Sequence, residues 1–120
     1  MTIQECYRLL GGDYNEALRG IPSAALIDRF VRKFLDDKSY EQLIEAVDSS
    51  DRAAAFRAAH TLKGVCANLR FTMLKNSASV LTELLRLDSD NIPADVMPAL
   101  DKVTADYQAT VGAIRAYIGE

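Results

Sequence analysis

The chain has no tryptophan, one histidine, two cysteines, three prolines and six glycines in 120 residues. Each scarcity excludes something. One histidine, His60, rules out any site that needs two imidazoles. The two cysteines, Cys6 and Cys66, form no C-x-x-C pair and cannot make a disulfide scaffold, so they read as reduced thiols of a cytoplasmic protein. No apolar run approaches the ~20 residues of a membrane span, and the N-terminus carries no signal-peptide pattern. Fourteen Lys and Arg against seventeen Asp and Glu leave a net charge of −3, so the chain as a whole has no pull toward nucleic acid or an anionic membrane. No G-x-x-x-x-G-K stretch occurs, and with it goes any recognisable ATP site.

What is present reads as one helical domain over 1–120. Hydrophobic residues make up 49% of the chain and charged residues 26%, which is enough apolar material for a core and too little charge for disorder. No strand-like alternation competes with the helical spacing of apolar residues. Two short pieces, 2–10 and 14–19, end at Gly11-Gly12 and Gly20. A helix over 22–36 starts at Pro22, where a first turn favours proline, and carries Leu26, Ile27, Phe30, Phe34 and Leu35. Ser39 and Gln42 have the form of a capping box, at the head of a helix that buries Leu43, Ile44 and Val47 and ends near Ser49. An Ala-rich helix follows over 51–69. The next covers 71–87, with Phe71, Leu74, Ala78, Leu81 and Leu85 on one face, and breaks at Asp88-Ser-Asp-Asn91. The last begins between Ile92 and Pro98 and steps through Leu100, Val103, Tyr107, Val111, Ile114 and Ile118. The expected fold is all-α: an antiparallel up-and-down four-helix bundle over 22–120, preceded by one or two short helices within 1–21. A monomer is the default expectation, since no second apolar face stands out.

The 51–69 helix carries the functional signal. At ~100° per residue, Ala55, Ala58, Ala59, Leu62, Cys66 and Leu69 fall in one arc, the core face. His60 lies ~150° from the centre of that arc and points outward. Phe56, Lys63, Gly64 and Ala67 share its side of the helix. A mid-helix glycine costs ~1 kcal/mol relative to alanine, so Gly64 on the outward face suggests close approach by an external partner. Phe56, at the edge of that face, either tucks against a neighbouring helix or belongs to an apolar docking patch. Lys63, one turn on, can reach over an anion held by the imidazole.

An exposed imidazole is largely neutral near neutral pH, and its free nitrogen is a nucleophile without further help. It can accept a phosphoryl group as a phosphoramidate. Other uses of a helical bundle fail at named positions. A di-iron site needs inward Glu-x-x-His pairs, but position 57 is arginine and no second histidine exists. A haem needs an inward ligand, and His60 points outward. No metal site is expected.

The run Ala59-His60-Thr61-Leu62-Lys63-Gly64, continuing Val-Cys-Ala-Asn68-Leu69, resembles the signature of histidine-containing phosphotransfer (HPt) domains. The resemblance covers about residue 24 to the C-terminus and implies a stand-alone HPt protein. It implies that His60 is the phosphoacceptor, taking its phosphoryl group from a receiver-domain phospho-aspartate and passing it to another receiver. Lys63 would offset the phosphoryl charge. Phe56, Gly64, Ala67 and Thr82 would belong to the docking face. Partners would be response-regulator receiver domains and a hybrid histidine kinase. The chain would be a carrier rather than an enzyme, without a cofactor of its own, the Mg²⁺ residing on the receiver. The alternative is a docking module that binds a receiver or kinase without taking phosphate, and a third is an unrelated scaffold or enzyme. Two positions depart from the family pattern. Many members have glycine where Arg70 stands, which implies a turn without positive φ or a longer helix. Many have Glu or Gln where Thr82 stands, to hydrogen-bond the imidazole.

Overall fold

The structure, a computed structural model, describes residues 1–86 and 91–119. Its elements are α1 (Ile3–Leu9), α2 (Tyr14–Gly20), α3 (Ala24–Lys33), a 3-10 turn (Phe34–Asp36), α4 (Ser39–Asp48), α5 (Arg52–Leu69), α6 (Thr72–Leu85) and α7 (Val96–Ile118), with no strand among the described residues. Helices α4 to α7 form the antiparallel bundle, and α1 to α3 close the end where α5 and α7 finish. Leu87 and the polar break over 88–90 lie outside the described residues. No helix of the described residues is long and apolar enough to cross a membrane.

Capping side chains fix most helix starts. Thr2, Asp13, Ser23 and Asp51 accept from the backbone N–H groups of Glu5, Glu16, Leu26 and Ala54 at 3.0–3.1 Å. The third helix therefore begins after Ser23 and leaves Pro22 outside. At α4 the expected capping box does not form. Ser39 is already helical, and the Asp37 carboxylate accepts from both its backbone N–H, at 3.1 Å, and its hydroxyl. A nearby acid has taken the role expected of the serine.

The turns around α5 are built alike. After α4, Ser50 donates its N–H to the carbonyl of Val47 and Asp51 donates to Ala46. After α5, Arg70 donates to Ala67 and Phe71 to Cys66. Each is a Schellman motif, which needs a left-handed residue, and Ser50 (φ 53°) and Arg70 (φ 59°) supply it without glycine. The expectation that Arg70 avoids positive φ is thus corrected. Its guanidinium stabilises the conformation by donating back to the carbonyls of Ala67 (2.6 Å) and Asn68 (3.4 Å).

The core follows the sequence pattern on α5 and α6 and departs from it on α3, on α7 and on α4, where Ala46 is buried and Ile44 and Val47 are only half-buried. All six expected core residues of α5 are buried, as are Phe71, Leu74, Ala78, Leu81 and Leu85. Phe34 and Tyr7 meet Phe71 edge-on at 5.2 and 5.5 Å. On α3 the inner stripe is Ile27 and Val31, and Phe30 is left exposed. On α7 Asp106 and Thr110 are buried among the apolar positions. Lys102 donates to the Asp106 carboxylate at 2.7 Å, and the Thr110 hydroxyl donates to its carbonyl at 2.8 Å. Cys6 and Cys66 are free and buried, and burial pushes the Cys6 thiol up to about 11.

Left-handed backbone costs an L-residue about 1–2 kcal/mol, so Ser50→Gly should stabilise the chain by about 0.5–1 kcal/mol after the entropy that glycine adds to the unfolded state. Arg70→Gly should gain less or lose, because it also removes the guanidinium contacts. Thermal unfolding of the two variants side by side checks the ordering.

Candidate functional site

Helix α5 sits between α4 and α6 with a core face made largely of alanine. Small inward side chains let both neighbours pack close, so the outward strip of α5 is what remains in solvent. His60 and Gly64 are exposed on that strip, and Phe56, Lys63 and Ala67 are half-buried along it. The five residues expected together on α5 do share one face. A Cβ built on Gly64 would meet nothing within 4 Å. Among the described residues nothing occupies the space above the glycine, which is open to solvent.

Thr82 is not part of this face. It is fully buried on α6, and its hydroxyl donates to the carbonyl of Ala78 at 2.7 Å. The side chain shares the inner face of α6 with Ala78, Leu81 and Leu85, so it is available neither for docking nor for orienting the imidazole.

Two residues that the sequence pattern did not single out, Glu83 on α6 and Arg86 at its C-terminal cap, adjoin this face through Phe56 instead. The Phe56 ring stacks on the His60 ring, with centroids 6.0 Å apart and 16° between planes. The Arg86 guanidinium lies 4.9 Å over the other partner of that stack, Phe56. Arg86 in turn donates through Nε and Nη2 to both carboxylate oxygens of Glu83, at 3.2 and 3.1 Å. Those hydrogen bonds hold the Glu83 carboxyl below the usual range, and the charges of Arg86 and Lys63 add to the effect. The usable signal was register: counting equal distances from the Arg70–Phe71 turn puts Phe56 opposite the Leu85-Arg86 step.

The arrangement suits a group presented to a partner rather than a ligand enclosed by the chain. A cleft of about 730 Å³ is lined by Phe30, Phe34, Val65 and Arg70 among others and does not include His60. Among the described residues no group of three or more His, Cys, Asp or Glu is placed to hold a metal ion. Arg57 and Lys63 lie three residues either side of His60 on α5, and Arg86, paired with Glu83, lies over Phe56, on a chain whose net charge is −3.

The family model described as Hpt domain matches residues 29–114. No curated protein and no solved structure matches the chain. With most of its length matched, the chain belongs to the Hpt domain family. Hpt domains are phosphocarrier modules rather than enzymes, and they work with receiver domains and kinases in two-component signalling. Helices α1 and α2 lie outside the matched stretch.

Because nothing crowds Gly64, Gly64→Ala should raise stability by up to ~1 kcal/mol through helix propensity alone. Denaturant unfolding measures it, and a loss of stability would mean that the space is needed by the fold itself.

Proposed function

We propose that His60 accepts a phosphoryl group from the aspartyl phosphate of one receiver domain and hands it to the aspartate of another. The observation that supports this reading best is the single histidine standing in solvent on α5 beside the open Gly64, while the opposite face of the helix is committed to the core.

In the transfer a neutral ring nitrogen attacks phosphorus. The N–P bond forms as the P–O bond to the receiver aspartate breaks, and the carboxylate leaves with the bonding pair. The proton on the other ring nitrogen is shed to solvent, so the product is a phosphoimidazole. The reverse sequence loads the second receiver. Catalysis here is positioning and charge stabilisation, which is what phosphoryl transfer asks of a protein. The receiver supplies Mg²⁺ and its acidic pocket. Lys63 meets the charge of the arriving group, Gly64 and Ala67 keep the approach free for receiver loops, and the half-buried Phe56 gives the docking face an apolar edge.

Incubation with radiolabelled phospho-receiver domains tests the reading. The wild type should take up acid-labile, base-stable label, and His60→Gln should take up none while melting within a degree or two of the wild type, since exposed substitutions change stability by ~0.5 kcal/mol or less. Binding without any labelling of the wild type would favour the docking module instead.

Gly64→Gln should bind the receiver more weakly and transfer more slowly, although helix propensity makes it no less stable. Lys63→Ala should leave receiver affinity nearly unchanged and slow the transfer step. Affinity and single-turnover rate measured for both variants separate docking from charge stabilisation. A Gly64→Gln variant that binds and transfers like the wild type would remove the docking role of that strip.

A further inference from the structure

Glu83 is engaged with a cation beside the histidine face. Glu83 holds Arg86 by two hydrogen bonds, at 3.1 and 3.2 Å, and Arg86 and the imidazole both contact the Phe56 ring. Both side chains are more than half exposed, so the pair is free to open. Charge-assisted pairing of a guanidinium with both oxygens of a carboxylate is directional. While it lasts, the donors on the paired edge of Arg86 are taken.

Phosphorylation changes the demand on Arg86. The ring, stacked on the Phe56 that the guanidinium covers, gains a group of roughly −1.5 to −2 charge with three acceptor oxygens. The same charge repels Glu83. The carboxylate and the phosphoryl group therefore compete for one arginine.

We propose that Glu83 sets how tightly His60 holds the phosphoryl group, by competing with it for Arg86. The inference rests on the phosphoacceptor reading of His60. In the exchange, receiver aspartyl phosphate and imidazole give receiver aspartate, phosphoimidazole and the released ring proton. Glu83 takes no part in bond making. It withholds Arg86 from the right-hand side and adds a like charge there, and so keeps the equilibrium from lying too far toward the phosphohistidine. Lys63 is subject to the same influence more weakly, since its charge is felt at Glu83. Glu83 is thus a positioning residue that acts through Arg86.

The test uses the full chain with a purified receiver domain and Mg²⁺, the receiver being charged with acetyl phosphate and then freed of it. The ratio of phosphohistidine to receiver aspartyl phosphate is read at equilibrium. Glu83→Gln should raise that ratio about threefold or more, the scale of one exposed charge pair. Arg86→Gln should lower it, and Glu83→Asp should restore the wild-type position. In the Arg86→Gln background, Glu83→Gln should raise the ratio by clearly less than it does in the wild type. The Glu83→Gln effect should also vanish near ~1 M salt, where the screening length is ~3 Å. A merely structural role would move both single variants in the same direction and ignore salt. An unchanged ratio in Glu83→Gln, or a gain that is just as large after loss of Arg86, overturns the proposal. Phosphoramidate, which carries a P–N bond, serves as a donor that needs no receiver. If it and the receiver both leave wild-type His60 unlabelled, the phosphoacceptor reading fails. If the wild type is labelled and Glu83→Gln behaves like it, only the role of Glu83 fails.

Discussion

Arg70 holds a left-handed backbone between α5 and α6, and several other segments are fastened to that turn. The Asp13 N–H donates to the Arg70 carbonyl at 2.9 Å, the Met73 N–H donates to Gly11 at 3.1 Å, and the Tyr7 hydroxyl donates to the Leu69 carbonyl at 2.8 Å. A Cβ on Gly12 would lie 2.7 Å from the Arg70 carbonyl oxygen, so the α1–α2 linker approaches as closely as glycine allows. The N-terminal helices therefore act as a clamp on one turn. At the far end of the same helix pair, Arg52 donates to the Leu85 carbonyl at 2.6 Å. With both ends tied, the register of α6 against α5 has no freedom to slip. That register places Arg86 over Phe56 and Glu83 in reach of the field of Lys63.

The site is then a consequence of how α5 divides its surface. Its alanines bury a narrow face and let α4 and α6 come near, which leaves a strip too thin to form a pocket. A nucleophile on such a strip meets its reaction partner only when another protein brings it. The charges follow the same division. The chain is acidic in sum, yet Arg57 and Lys63 lie on or beside the strip and Arg86, paired with Glu83, lies at its edge, so the strip is less acidic than the whole. Net charge argued against anionic polymers and said nothing about this local arrangement.

The parts of the fold that were legible in the sequence are those where period alone decides. The six buried residues of α5 and the outward His60 and Gly64 could be read from angular position, because a helix packed on both flanks leaves little ambiguity. Where a rule had a local competitor, the reading failed. Asp37 displaced Ser39 as the group that starts α4, and nothing in the S-x-x-Q spacing reveals that an acid two residues earlier will bind the hydroxyl. Arg70 looked unsuited to positive φ, yet its own guanidinium reaches the orphan carbonyls of α5 and compensates. Phe30 has the spacing of a core residue but falls beyond the edge of the α3 stripe. Thr82 was assigned by distance along the chain from His60. The helix turns ~100° per residue, so one position decides between facing α5 inside the bundle and facing solvent beside it. Glu83 and Arg86 were missed for that reason, since finding them needs the register of two helices and not the pattern of one.

A carrier that must release what it accepts works under a constraint that an enzyme pocket does not. A tenfold preference for either side of the transfer corresponds to ~1.4 kcal/mol, so a buried cage of donors around the phosphohistidine would trap the group. Exposed charges, screened by salt and water, shift such a balance by small factors and leave it reversible. The His60 face has that character throughout. Its cations are at the surface, one of them is shared with a carboxylate, and the ring is steadied by a stacked phenylalanine rather than by a buried hydrogen bond. The replacement of a hydrogen-bonding side chain by Thr82, turned inward, removes one means of fixing the ring, and the Phe56 stack supplies another that leaves both ring nitrogens unengaged by it. Orientation by stacking fits the acceptor and donor roles proposed for His60.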